Sequence, residues 1–241
     1  DPYQGAAIAV AESSRNLAVS GATAIALSDC LNFGNPEKPE VMWQFAQTID
    51  GMRAACQALD VAVVSGNVSF YNETDGAGIP PTPTIAMVGI LDHIEKRVTQ
   101  WFKEPGDLII LLGKTLEELG ASEYLARIHG EERGQPPTLD LGKELRLQQL
   151  CRYAAETELL ASSHDIAEGG LAVSLAECCM TNPNTQMGAR VELKDHIRPD
   201  ALLFGESQSR VIVSVSPAKW PSLKEMLRKS QVPYSVLGRV G

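Results

Sequence analysis

The chain alternates between apolar stretches with helical spacing and short apolar runs bounded by turn residues. In its first part, apolar positions recur with helical spacing over residues 5–19 and 40–59, which predicts two amphipathic helices. Short apolar runs at residues 23–28, 61–65 and 84–90 are bounded by Gly, Asp or Pro, which predicts three strands, the first two of them buried. These elements together describe one compact unit.

The second part of the chain mixes helices and strands in a different order. Pro105-Gly106 interrupts a segment without clear periodicity, so we place the domain boundary near it and predict domains over residues 1–98 and 99–241. The predicted strands cover residues 107–112, 190–193, 211–215 and 235–237, and the predicted helices cover residues 116–128, 142–160, 171–180 and 219–229. This order predicts an α+β fold of two domains, with mixed β-sheets flanked by helices.

The composition and the net charge of the chain argue against some classes of binding partner. Hydrophobic residues make up 44% of the 241 positions, enough for a core that needs no disulfide or metal. A net charge of -9 argues against nucleic acid and anionic membranes, since both select a basic surface. The five cysteines have no CxxC pair or zinc spacing, so we expect reduced thiols and a cytoplasmic protein. No apolar run is long enough to span a membrane.

Two polar segments of the first domain directly follow predicted strands. Asp29 comes just after the first strand, and Gly66, Asn67 and Ser69 come just after the second. Asn and Ser oxygens suit Mg²⁺, phosphate or amide groups, and Glu73 offers a further carboxylate ligand. Side chains of this kind also close ordinary turns, so each segment alone leaves both interpretations open. Their expected location at one edge of one sheet favours a binding site.

A third polar segment precedes a predicted helix of the second domain. His164, Asp165 and Glu168 are followed there by Gly169-Gly170, and glycines at a helix N-terminus can bind an anion. The same residue types also make good helix caps, and a single histidine is more often structural than catalytic. Residues 205–210, Gly-Glu-Ser-Gln-Ser-Arg, form either a polar approach to a strand or a ligand loop.

No nucleophile motif, P-loop or dinucleotide fingerprint is present in the sequence. The residues by themselves therefore predict a two-domain α+β protein with a small-molecule site, suited to phosphate and a metal ion.

Longer motifs carry a resemblance to a known family. The segments DCLNFGNPEKPEVMWQ, SGNVSFYNET, SHDIAEGGL and FGESQSR resemble the synthetase subunits of phosphoribosylformylglycinamidine synthases, in order and spacing, across essentially the whole chain. The third segment is shared more loosely by aminoimidazole ribonucleotide synthetases, selenophosphate synthetases and other relatives. Another member of that superfamily is therefore the alternative, and the first segment argues against it.

The resemblance implies roles for four residues. Asp29 and Gly66 would contact ATP, Asn67 would bind a magnesium ion, and Ser69 would contact the formylglycinamide ribonucleotide substrate. The family's full chain carries two tandem copies of this two-domain unit, and the present sequence resembles the second copy without its opening strands. The family's catalytic histidine belongs to the first copy, so no catalytic residue is expected here, and His164 does not replace it.

The implied reaction is an ATP-dependent carbon–nitrogen ligation. ATP would phosphorylate the amide oxygen of the substrate, and ammonia from a separate glutaminase would displace the phosphate. The implied partners are the N-terminal half of the same synthetase, the glutaminase subunit and a small accessory subunit. This chain alone is expected to be inactive. A non-catalytic fragment that binds nucleotide or serves as a scaffold is the second hypothesis.

Overall fold

A computed structural model describes residues 1–241, which form two compact units. The first unit comprises Asp1–Leu17 and Ala24–Ile90, and the second comprises Ala18–Thr23 and Leu91–Gly241. The boundary between the units therefore lies at Leu91. The division into domains between residues 98 and 99 stays a prediction.

Two helices and a three-stranded sheet build the first unit. The helices are α1 (Pro2–Val19) and α2 (Pro39–Leu59), and the strands are β1 (Thr23–Asn32), β2 (Ala62–Ser69), β3 (Glu73–Thr74), β4 (Ala77–Gly78) and β5 (Thr82–Ile90). The sheet has the order β2-β1-β5, with β2 parallel to β1, whereas β3 and β4 form a separate antiparallel hairpin.

Local sequence sets the ends and the packing of α2. Pro39 stands at its first turn, where its missing N–H costs no helical hydrogen bond. Asp60 ends the helix in the left-handed conformation with φ 56°. In the middle, a Cβ at Gly51 would lie 2.1 Å from the Tyr3 carbonyl oxygen, so only glycine lets α1 approach α2 this closely.

The strands of the first unit differ in burial. Leu27 and Leu31 of β1 are buried, but Ile25 is 44% exposed, so the predicted buried strand over residues 23–28 is buried only in part. In contrast, no residue of β2 is buried, and every second residue of β5 is exposed. The prediction of a buried strand over residues 61–65 is therefore wrong in its burial, since β2 is an edge strand and only Val61, before its start, is buried.

A five-stranded antiparallel sheet organises the second unit. Its strands are β6 (Leu108–Leu112), β7 (Ser162–Asp165), β8 (Ala189–Val191), β9 (Val211–Val215) and β10 (Tyr234–Val240), in the order β7-β9-β6-β10-β8. Every pairing in it is antiparallel. The helices are α3 (Leu141–Glu156), α4 (Gly170–Met180), α5 (Pro199–Phe204) and α6 (Trp220–Ser230).

Both faces of this sheet are buried. Val211, Val213 and Val215 of β9 pack in one core with residues of α3 and α6. Ile212, which points the other way, packs in a second core with Leu171 of α4. Because strand side chains alternate between faces, a strand covered on both sides is apolar at nearly every position, and β9 departs from this only at Ser214.

The structure of the second unit differs from the predicted elements at three points. Residues 116–128 form no α-helix, and the segment has only a π-helical turn at Leu125–His129. Gly120 lies against the backbone of Gln135, where a Cβ would come within 2.1 Å of its carbonyl oxygen, and Ala121 has φ 57°. The segment that begins at His164 is a strand for its first two residues, and α5 was not predicted.

Candidate functional site

The parallel pair of β1 and β2 brings the two polar segments of the first unit together. Its register pairs Asp29 with Gly66, Cys30 with Asn67, and Asn32 with Ser69. The expected proximity of these residues is therefore confirmed. However, they lie inside the strands and not in loops after them, because β1 and β2 continue to Asn32 and Ser69.

The Asp29 carboxylate lies directly over Gly66. A Cβ at position 66 would stand 2.4 Å from Oδ1 and 2.7 Å from Cγ of Asp29, so the absence of a side chain at Gly66 gives the carboxylate its place. Asp29 shares its strand face with Leu27 and Leu31, which are 0% and 2% exposed. Burial raises the pKa of the Asp29 carboxyl.

A cavity of about 570 Å³ adjoins Asp29 on the side of α2. Its lining includes Ile25, Asp29, Ile49, Met52, Cys56 and Val63. Burial raises the pKa of the Cys56 thiol, and the nearby charge of Asp29 raises it further, so this cysteine stays a thiol. Arg53, Gln57 and Asp60 also line this cavity, so the half-buried Asp29 carboxylate faces a space with both apolar and polar walls.

Strand alternation divides the predicted site residues between the two faces of the sheet. Asp29 and Gly66 are paired and belong to the face that carries α2. Asn67 and Ser69 pair with Cys30 and Asn32, which belong to the opposite, open face. Since β2 is an edge strand, a ligand can reach both sets of residues around it.

Main-chain hydrogen bonds join the two segments that follow these strands. The Phe33 N–H donates to the Ser69 carbonyl at 2.9 Å, and the Tyr71 N–H donates to the Gly34 carbonyl at 2.9 Å. The Asn72 side-chain amide donates to the Phe33 and Ser69 carbonyls, each at 3.0 Å. These bonds fix the position of Ser69, and Asn72 is a functional candidate that the sequence interpretation missed.

Aromatic side chains pack beneath the same segments. The ring of Phe45, on α2, lies 5.2 Å from the ring of Phe33 and 5.2 Å from that of Phe70, both with edge-to-face geometry. The cluster anchors both segments to the helix.

Glu73, the further carboxylate candidate, is engaged by a lysine. The Lys38 ammonium lies 2.6 Å from its Oε1 oxygen. The hydrogen bond from Lys38 holds the pKa of the Glu73 carboxyl below its usual range. A ligand that used this carboxylate would have to compete with the ion pair.

In the second unit, His164 is held between two carboxylates. Its Nε2 lies 2.8 Å from Oε2 of Glu177 and its Nδ1 lies 3.3 Å from Oδ1 of Asp165. Burial disfavours the charged ring, but the hydrogen bonds and charges of both carboxylates outweigh it and raise the pKa of His164. The histidine joins β7 to α4, which fits a structural role.

The N-terminus of α4 is occupied by a carboxylate of the protein itself. Oε1 of Glu206 accepts hydrogen bonds from the N–H groups of Gly169 and Glu123, both at 2.9 Å. Burial raises the pKa of Glu206 despite these bonds. Of the two interpretations left open for Gly169-Gly170, the position of an external anion is thus taken by Glu206, which comes from another segment of the chain.

The chain has neither a cluster of metal-ligating side chains nor a helix that could span a membrane. No group of three His, Cys, Asp or Glu side chains is placed to hold a metal ion. No helix combines the length and apolarity needed to cross a membrane. All five cysteines are free thiols, as expected.

The fold and the motifs define the class of protein. The model of the AIR synthase related N-terminal domain matches residues 1–91, and that of the C-terminal domain matches residues 104–241. The chain belongs to the AIR synthase related family.

Individual relatives of the chain belong to a narrower group within this family. The chain is 52% identical over 241 residues to phosphoribosylformylglycinamidine synthase subunit PurL of Moorella thermoacetica, and 47% identical over 240 residues to the subunit of the same name from Alkaliphilus metalliredigens. Each match covers 100% of this chain and 32% of the relative. The chain thus spans about a third of the length of these relatives.

Solved structures share the fold. Thermotoga maritima PurL complexed with ATP matches with a TM-score of 0.74 and 22% identity, over 100% of this chain and 37% of that one. The same protein complexed with FGAR matches with a TM-score of 0.77 and 21% identity, over 100% of this chain and 39% of that one.

Proposed function

We propose that this chain forms part of an ATP-dependent carbon–nitrogen ligase, phosphoribosylformylglycinamidine synthase. The reaction converts formylglycinamide ribonucleotide, ATP and ammonia derived from glutamine to formylglycinamidine ribonucleotide, ADP and phosphate, in purine biosynthesis. Identity of about half of all positions over the full chain supports the assignment. The observation that carries it is the β1–β2 register, which aligns Asp29 with Gly66 and places Asn67 at the next position.

Each of the four residues has a role that its surroundings support. Asp29 and Gly66 contact ATP, where the glycine allows close backbone approach. Asn67 is exposed on the open face of the edge strand and ligates magnesium through its amide oxygen. Ser69, held by Asn72, contacts the ribonucleotide substrate.

The residues of this chain supply only some of the ligands that a magnesium ion needs. The amide oxygen of Asn67 is a ligand of the hard type that magnesium prefers. Since the chain offers no three-residue cluster of acidic, His or Cys ligands, the remaining ligands would come from ATP phosphates, water and residues outside this chain. The ion bound with ATP would neutralise negative charge on the phosphates.

The chain's own contribution to the chemistry is positioning. Asp29, Gly66 and Ser69 orient ATP and the amide oxygen of the substrate for phosphoryl transfer. Once phosphorylated, this oxygen leaves as phosphate when ammonia attacks the carbon. No side chain of this region needs to form a covalent bond, in keeping with the absence of a nucleophile motif.

The open face of the first sheet is where the remainder of the site would assemble. Val88 and Ile90 of β5 are 61% and 53% exposed, and Val64 of β2 is 67% exposed. Apolar surface of this kind favours a protein partner. The N-terminal half of the synthetase packs here in this proposal, and the glutaminase and small accessory subunits bind the assembled enzyme in the cytoplasm.

Two further statements belong to this proposal. The domain division at 1–98 and 99–241 corresponds to a nucleotide, metal and substrate domain followed by a second synthetase domain. The chain without its partner half is inactive, because no general acid or base of the reaction is assigned within it.

The test is an Asn67→Ala substitution in the full-length synthetase. Loss of one ligand should reduce kcat/KM by about 5- to 150-fold and shift the magnesium titration to higher concentration. Asn184→Ala, at an exposed position of the second unit, is the control and should leave both unchanged. Unchanged kinetics of the Asn67 variant across the titration would refute the magnesium role.

A further inference from the structure

A second cavity, of about 400 Å³, lies wholly within the second unit. It opens at one end of the five-stranded sheet, where β6 finishes and β9 and β10 begin. Its walls come from the turn after β6, the first turns of α3, the residues before β9 and the link between α6 and β10. The volume is within the range of small-ligand pockets.

Charged side chains around this cavity are predominantly cationic. Lys114, Lys143 and Arg146 line it, against the single carboxylate of Asp140. A local excess of positive charge contrasts with the net charge of -9 of the whole chain. Such a concave cationic site attracts small anions even on an acidic protein.

The single carboxylate is already used within the chain. Oδ1 of Asp140 caps α3 by accepting the Lys143 N–H at 3.0 Å, and Oδ2 lies 3.2 Å from the Lys143 ammonium. The side chains of Lys114 and Arg146 form no hydrogen bond or ion pair with the rest of the chain. Two cations therefore remain available to a ligand.

The rest of the lining combines polar side chains with an apolar wall. Leu116, Leu139, Leu147, Val232 and Pro233 contribute to the walls. These side chains offer a surface to a carbon skeleton beside the charged groups.

The backbone of the cavity is tightly constrained. Gly113 has φ 91°, and a Cβ there would lie 2.2 Å from the Ser209 carbonyl oxygen. Its N–H donates to the Pro233 carbonyl at 2.8 Å. The three strand ends that form the floor are thus fixed before any ligand binds, which lowers the entropy lost on binding.

We propose that this cavity binds a small phosphorylated metabolite. The phosphate would be held by Arg146 and Lys114, since a guanidinium donates two parallel hydrogen bonds to a phosphate. A phosphomonoester carries a charge of about -1.5 to -2, which matches the cationic excess of the lining. The carbon skeleton would lie against Leu116 and Leu139. None of the residues proposed to bind ATP, magnesium or substrate lines this cavity.

Calorimetric titration of the intact protein tests this inference. The probes are ribose 5-phosphate and inorganic phosphate, in buffer without magnesium or nucleotide. Arg146→Gln and Lys114→Gln should each weaken binding of ribose 5-phosphate by about tenfold or more, since each removes one charge-assisted contact. Lys224→Gln, an exposed lysine outside the cavity, should leave the Kd unchanged and serves as the matched control.

Several outcomes would overturn the proposal. They are the absence of binding of ribose 5-phosphate to the wild-type protein, and an unchanged Kd in the two cavity variants. Equal binding of both probes would also overturn it, because the apolar wall would then contribute nothing. Binding that is lost on Ser69→Ala but kept on Arg146→Gln would assign the phosphate to the first unit instead.

Discussion

An alanine at position 66 would place a methyl group against the Asp29 carboxylate. The new Cβ would start 2.4 Å from Oδ1, and ordinary contact begins at 3.4 Å, so the carboxylate must move by about 1 Å. Such a shift takes the short side chain off its rotamer at a cost of about 0.5–1.5 kcal/mol. Loss of glycine flexibility in the unfolded chain offsets about 0.4–1 kcal/mol. The free energy of unfolding should therefore change by less than about 1 kcal/mol.

The effect on ATP should be larger than the effect on stability. If Asp29 contacts ATP through a charged hydrogen bond, its displacement should weaken binding by about 1.5–3 kcal/mol, or about 10- to 150-fold. The assay is calorimetric titration of the full-length synthetase with a non-hydrolysable ATP analogue, beside urea unfolding of the same samples. Gly5→Ala is the matched control, because an added Cβ there has no atom within 4 Å.

A double-mutant cycle tests whether the loss of ATP affinity in the Gly66→Ala variant is caused by displacement of Asp29. In an Asp29→Ala background the methyl group has no carboxylate to displace, so Gly66→Ala should cost clearly less ATP affinity there than in the wild-type background, where the displaced carboxylate adds to the direct contact of Gly66. An equal loss of affinity in both backgrounds would refute the reasoning, because the whole loss would then come from Gly66 itself and none of it from Asp29.

Three further predictions concern the surrounding structure. Asn72→Ala should lower the free energy of unfolding by about 1–2 kcal/mol and raise the KM for the ribonucleotide, measured by urea unfolding and steady-state kinetics, since it releases Ser69. Arg210→Met should destabilise the chain by about 3–5 kcal/mol in urea unfolding, because it leaves the carbonyls that this fully buried guanidinium binds without a donor. The raised pKa of His164 gives stability that is present below about pH 6.5 and is lost as pH rises through the folded pKa. Glu177→Gln should therefore flatten the loss of unfolding free energy as the pH rises above about 6.5, and an undiminished slope would contradict the assignment.

Hydrophobic spacing was sufficient to locate most helices and strands. The helix over residues 40–59 and the strand at Val211–Val215 follow from patterns that the structure reproduces to within a residue. The same approach failed over residues 116–128, where apolar spacing indicated a helix. The contact of Gly120 with Gln135 lies outside any local pattern, and such tertiary contacts override a weak helical preference.

Burial of β2 could not be predicted either. Its apolar first half is typical of a buried strand, but a strand at the edge of a three-stranded sheet is covered only if a neighbour covers it. The sequence of the strand does not show whether a partner covers it.

The candidate site shows the same division between local and distant information. Adjacent parallel strands were enough to predict that Asp29 and Gly66 come together, because parallel strands present corresponding positions side by side. The sequence could not reveal that Glu206 fills the N-terminus of α4, since its approach depends on the path of the chain through α5. A glycine pair before a helix therefore predicts where an anion can bind, but only the tertiary structure decides whether that anion is a ligand or a carboxylate of the chain.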